Sequence, residues 1–222
     1  MKKRYPLLLC AILFSTMHIS LADTPYAQWE NGPPAEESFF PIGVWLQHPN
    51  NAPKYKNMGI NLYIGLWQGP TPQQLATLKQ HAMPVICHQS PTGLTHKDND
   101  IIIGWLQQDE PDNAQPVTDP DTGEKTYGPP VPPKKIVAKY EGIKQNDPTR
   151  PVLLNLGQGV ANDQWHGRGP GADRSDYLTY VKGGDIVSFD YYPIAGSQTP
   201  KDPDHLPLIA KGINRLQKWT EN

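Results

Sequence analysis

Apolar residues along this chain come in short runs separated by amphipathic segments, and the alternation of the two predicts an α/β fold. Buried strands are expected at residues 39–47 (FFPIGVWLQ), 60–67 (INLYIGLW), 83–89 (MPVICHQ), 101–109, 151–156 (PVLLNL) and 185–194 (DIVSFDYYPI). Such runs, apolar on successive residues rather than alternating, suit a parallel sheet covered on both faces. Helical spacing lies between them. Residues 51–57 predict a short helix that Gly59 ends. Thr71-Pro72-Gln73-Gln74 predicts a capped helix start, followed by Leu75, Leu78 and Ala82 on one face. Ile136, Val137, Tyr140 and Ile143 predict a helix over 134–146, and Ser175 is expected to cap a short one running to Val181. Leu206, Ile209, Ile213 and Leu216 predict an amphipathic helix at the end. The stretches at 23–38, 115–133 and 157–171 are rich in Pro, Gly and polar residues and read as a leader and two loops.

Six strand-helix units at about 30 residues each match the spacing of a βα-barrel rather than of a sandwich. A closed barrel takes eight strands and about 250 residues, so the expected fold is a (β/α)8 TIM-barrel type that is incomplete. A barrel truncated after its sixth unit is expected over an open sheet, because an open sheet leaves strands one and six as apolar edges. Such edges are expected to promote self-association.

The first 22 residues are expected to stand outside the fold. Lys2, Lys3 and Arg4 precede an apolar stretch that ends in Ser20-Leu21-Ala22, the pattern of a signal peptide cleaved after Ala22. This predicts a secreted or periplasmic protein, residues 39–222 forming the domain. An uncleaved anchor is the alternative, disfavoured because Ser15, His18 and Ser20 interrupt a short run. Without the leader the chain carries 17 basic and 22 acidic residues, a balance that gives nucleic-acid binding no support. Of the two cysteines only Cys87 remains, inside a strand, which predicts a buried hydrophobe and no intramolecular disulfide.

In a parallel α/β fold, ligands sit at the carboxyl ends of the strands. Those ends collect Trp45, Gln47, Trp67, His88, Trp105, Asp109, Glu110, Asn155, Asp190, Tyr191 and Tyr192. Indole faces stack on the C–H faces of sugar rings while amides and carboxylates bond their hydroxyls, so this set suits a neutral, hydroxyl-rich ligand. Core packing would account for any one tryptophan alone. Glu110, beside Trp105 and like-charged Asp109, is expected to have a raised proton affinity and to serve as general acid/base. Asp109 would stay ionised and orient it. Asp190 has a competing role as a strand-end residue bonding nearby backbone. No HExxH, CxxC, GxSxG or Walker sequence is present, and neither cofactor nor metal is expected.

A fourth strand ending Asp109-Glu110-Pro111, tryptophans at strand ends and Ser188 to Ile194 (SFDYYPI) on the sixth resemble the (β/α)8 glycoside hydrolases of the clan that includes β-galactosidases, endo-mannanases and cellulases. The resemblance covers most of residues 39–222 in organisation, and its specific part is the DEP and DYYP segments. It implies Glu110 as acid/base, Asp109 in the place of the family's Asn, and Tyr191 or Tyr192 as the aromatic near the nucleophile. The family's nucleophile, a Glu ending strand seven, has no counterpart in these 222 residues, so this form is expected to hydrolyse little or nothing. The alternative expectation is a carbohydrate-binding protein without catalysis.

Overall fold

The computed structural model describes residues 24–193 and 205–221. The expected signal peptide lies outside them. Six parallel strands, β1 (Gly43–Trp45), β2 (Leu62–Ile64), β3 (Val85–His88), β4 (Ile102–Asp109), β7 (Val152–Leu156) and β8 (Ile186–Phe189), hydrogen-bond in that order. The sheet curls into a half-barrel alternating with helices, an incomplete TIM-barrel-like fold. Among the described residues β1 and β8 each pair with a single strand.

The helices are α1 (Ala52–Asn57), α2 (Pro72–Gln80), α3 (Pro91–Thr95), α4 (Pro133–Asn146), α5 (Tyr177–Tyr180) and α6 (Pro207–Thr220). The capping box of α2 forms as its sequence predicts: Thr71 Oγ1 accepts from the Gln74 amide while Gln74 Oε1 accepts from the Thr71 amide. Strand residues alternate between two apolar layers. Tyr63, Val85, Cys87, Ile102, Trp105 and Val152 face the helices and pack on Leu75, Leu78 and Ile143. Leu62, Ile86, Ile103, Leu106 and Leu153 fill the concave face, with Trp45, Ile64 and Ile186 against them.

Several elements differ from expectation, each for a local reason. The first strand is only three residues, because Pro41 lacks the N–H a ladder needs and Leu46 turns to φ 51°. Ser175 does not cap the helix at α5. Asp173 instead caps a 3-10 turn at Arg174–Asp176 that precedes α5, in a capping box with Asp176, and α5 itself starts without a side-chain cap. The loop at 115–133 holds an antiparallel hairpin, β5 (Pro116–Thr118) with β6 (Lys125–Tyr127), too short and exposed to show an apolar pattern. The leader is not free of structure: Pro25–Gln28 form a 3-10 turn, Tyr26 packs edge-on against Phe39, and the Asn31 amide donates to the Thr149 carbonyl. Of the expected apolar face of α6, Leu216 is buried, whereas Leu206, Ile209 and Ile213 are exposed. The face turned inward is instead Gly212, against the Phe189 ring, with Leu216 and with Trp219, which stacks on Tyr177 at 4.9 Å.

Candidate functional site

The carboxyl ends of β4, β7 and β8 bring one polar cluster together. Asn155, near the end of β7, stands opposite Asp109 across β4 and opposite Ser188 across β8. Its side chain is 3% exposed and fully engaged. Nδ2 donates to Asp109 Oδ1 at 3.0 Å and to Asp190 Oδ1 at 3.1 Å, while Oδ1 accepts from Ser188 Oγ at 2.7 Å. The Tyr192 hydroxyl donates to the other oxygen of Asp190 at 2.9 Å.

Glu110 follows directly. Its φ is 39°, a left-handed conformation that side chains rarely adopt and that clusters at functional sites. Two backbone bonds hold it there: the Glu110 amide donates to the Asn155 carbonyl at 3.0 Å, and the Asn113 amide donates to the Glu110 carbonyl at 3.1 Å. Burial, followed by the charges of Asp190 and Asp109, raises the Glu110 carboxyl to about 7, with a bond from the Asn113 side chain opposing the rise. Asp109 also lies above the usual carboxylate range, first through loss of surrounding water, the Asn155 bond opposing. His88, half-buried at the end of β3 with Nδ1 at 3.2 Å from the Leu106 carbonyl, is held below its ordinary value, mainly by burial. At neutral pH the site therefore offers a carboxyl near its midpoint beside an imidazole biased toward its neutral form.

The remaining expected residues divide. Trp45 is half-buried at the end of β1 and leans on the concave apolar layer. Gln47 accepts from the Tyr55 hydroxyl at 2.7 Å. Trp67, beyond β2, is 65% exposed, free to stack on a ligand. Tyr191 pairs with His205 Nδ1 at 2.9 Å rather than with the acidic cluster. Trp105 is not at the rim: it is fully buried among the helices, and its Nε1 donates to Asp147 Oδ2 at 2.9 Å. It lies mid-strand, four residues before the end of β4, and a register shift against β3 between Ile102 and Gly104 breaks the alternation, so that Trp105 joins Ile102 on the helix side rather than Ile103 on the concave side. The proton affinity of Glu110 is raised first by burial and then by charge, to which Asp190, from a distant part of the chain, adds more than the adjacent Asp109.

Residues the sequence did not single out support the rim. Asp112 is fully buried and accepts from the Gly157 amide and the Tyr177 hydroxyl, each at 2.7 Å. Arg168 donates Nε to the Asp112 carbonyl at 3.3 Å and lies 4.6 Å over the Tyr177 ring. Asn113 accepts from Trp165 Nε1 at 2.9 Å, and Gln115 reaches Gln108 at 3.3 Å. These contacts fasten the segment after Glu110 to the 157–171 loop. A second carboxylate two residues beyond Glu110 was the available signal, but a strand-end Asp has no pattern that marks it as buried. Cys87 is buried as expected, its thiol pushed up to about 12. Among the described residues no group of His, Cys, Asp and Glu has the geometry of a metal site, and no helix is long and apolar enough to cross a membrane.

No family model matches the chain, and no curated protein matches it. Among solved structures, a GH2 beta-galacturonidase from Eisenbergiella tayi, bound to galacturonate, aligns at a TM-score of 0.48 and 15% identity. The alignment covers 82% of this chain and 32% of that enzyme, so the chain spans about a third of its length.

Proposed function

We propose that the open carboxyl end of the half-barrel is a carbohydrate site in which Glu110 exchanges the proton of a glycosidic oxygen or of the attacking water. The observation that carries this reading is the convergence of Asp109, Glu110 and Asp190 around Asn155, with Glu110 drawn to about 7. A carboxyl with that affinity is populated in both protonation states at neutral pH, as general acid/base catalysis requires. Asp190 is the candidate second carboxylate and Asp109 the group that bonds a hydroxyl. Trp67 and Tyr192, 65% and 54% exposed, are the candidate platforms for a sugar face. An exported chain, as its first 22 residues suggest, would meet such ligands outside the cytoplasm.

The test is titration of neutral oligosaccharides of several linkages, followed by amide NMR shifts, with product analysis in parallel. The expected result is saturable shifts at Asp109, Glu110 and Asn155. Any hydrolysis should disappear in Glu110→Gln while binding persists. Binding without turnover in the unaltered chain would support a carbohydrate-binding protein and remove the catalytic part of the reading. No shift at these residues with any sugar at millimolar concentration would overturn it.

A further inference from the structure

We infer that Asn155 is the positioning residue of this rim: its single amide nitrogen holds the carboxylates of Asp109 and Asp190 at a fixed separation, and Ser188 anchors the amide through its oxygen. The inference deepens the carbohydrate reading, on which its functional meaning rests, but its geometry stands without a ligand.

The two aspartates come from β4 and from the residue after β8, the strands that flank β7, and both reach the same nitrogen. The two hydrogens of an amide diverge by about 120°, so acceptors about 3 Å from the nitrogen stand about 5 Å apart. At that distance two carboxylates repel, and a donor between them offsets part of the repulsion. Asn155 is that donor.

Its orientation is dictated by chemistry. A carboxylate accepts only, so an amide turned over would set its oxygen against two negative oxygens. The Ser188 hydroxyl, 2.7 Å from Oδ1, donates to the amide oxygen and so anchors the side chain in the orientation the carboxylates impose. The parallel register places the three residues in line, Asp109 opposite Asn155 and Asn155 opposite Ser188. The same residue fixes Glu110 through its backbone, since the Asn155 carbonyl accepts from the Glu110 amide. A side chain 97% buried that satisfies two acceptors and one donor has no freedom to follow a ligand; it sets where the ligand's hydroxyls must go.

The experiment is a pH titration of the side-chain carboxyl carbons by NMR in the unaltered protein, Asn155→Ala and Ser188→Ala, with no sugar present. Removing a donor to the charged form raises a carboxyl's midpoint. In Asn155→Ala the Asp109 midpoint is expected to move up by about one unit, a tenfold change in proton affinity. In Ser188→Ala, where the amide remains but loses its anchor, a smaller rise in the same direction is expected. Backbone amide spectra report whether each variant keeps its fold, and Ser188→Ala carries the test alone should Asn155→Ala not fold. An Asp109 midpoint unchanged in a folded variant overturns the inference. Because no ligand enters, that failure is distinct from a failure of sugar binding, which is read in the oligosaccharide titration.

Discussion

Substituting Glu110 by Gln removes one titrating group and little volume, and the structure sets how the stability of the two proteins should diverge with pH. Glu110 titrates near 7 when folded against an ordinary value of 4.5. Its folded-state affinity is raised, so between about 4.5 and 7 the folded chain holds a proton that the unfolded chain has released, and stability falls as pH rises through that window. At 1.36 kcal/mol per unit, the whole shift corresponds to a ceiling of about 3 kcal/mol. Glu110 is only half-buried, so solvent screening reduces this to about 1–2 kcal/mol. The variant lacks the group and should not show this fall. Below pH 4.5 Glu110 is neutral in both states, so the two proteins should unfold at nearly the same urea concentration. By pH 8 the variant should be the more stable by about 1–2 kcal/mol. Asp109, also raised, adds a slope of the same sign in both proteins. Urea unfolding followed by tryptophan emission at half-unit steps from pH 4 to 8.5 measures it. Parallel profiles, or a difference that shrinks as pH rises, would refute the assignment of a desolvated, charge-crowded Glu110.

Asp112→Ala should cost about 2–5 kcal/mol of unfolding free energy, because the Gly157 amide and Tyr177 hydroxyl lose their acceptor away from water. Tyr177→Phe, which removes one of those bonds and keeps the ring stacked on Trp219, should cost about 1–2 kcal/mol in the same denaturation assay. Trp105→Phe should destabilise by about 1–3 kcal/mol, by losing the donor to Asp147 and some packing, yet leave any oligosaccharide-induced shifts at the rim unchanged. In a Cys10→Ser background, Cys87 should resist a thiol reagent at pH 8 until denaturant is added, since the thiol is buried and titrates near 12.

Most of the architecture was legible because periodicity reports burial, and in a parallel sheet burial is nearly the whole of strand identity. The runs at 83–89, 101–109 and 151–156 became β3, β4 and β7 with little change. Reading failed where a single backbone feature outranks pattern. Pro41 and the turn at Leu46 cut β1 to three residues, and the β5–β6 hairpin is too exposed to carry an apolar signature. The tryptophans mark the limit for side chains. Trp45 and Trp105 both lie in strands, but a register shift between β3 and β4 turns Trp105 outward to Asp147, whereas Trp45 faces the concave side.

The site divides in the same way. Adjacent carboxylates at the end of an apolar run pointed to Glu110, because a strand end in this fold class faces the open mouth. Burial leads the perturbation and the adjacent Asp109 adds charge, both expected from the sequence. Trp105 is not at the rim, and Asp190, 80 positions along the chain and delivered by the pairing of β7 with β8, adds a charge that no local pattern announces. Asn155 carries the longer lesson. From the sequence it is one amide in an apolar strand, and nothing local distinguishes a ligand contact from a strut. Only the register, which sets Asp109 on one side of it and Ser188 on the other, turns it into the group that spaces two carboxylates. Proton affinities at this rim are therefore a property of strand register. A substitution that shifts β7 against β4 by one residue should alter the titration of Asp109 as strongly as removing the amide itself, although it touches no titrating group.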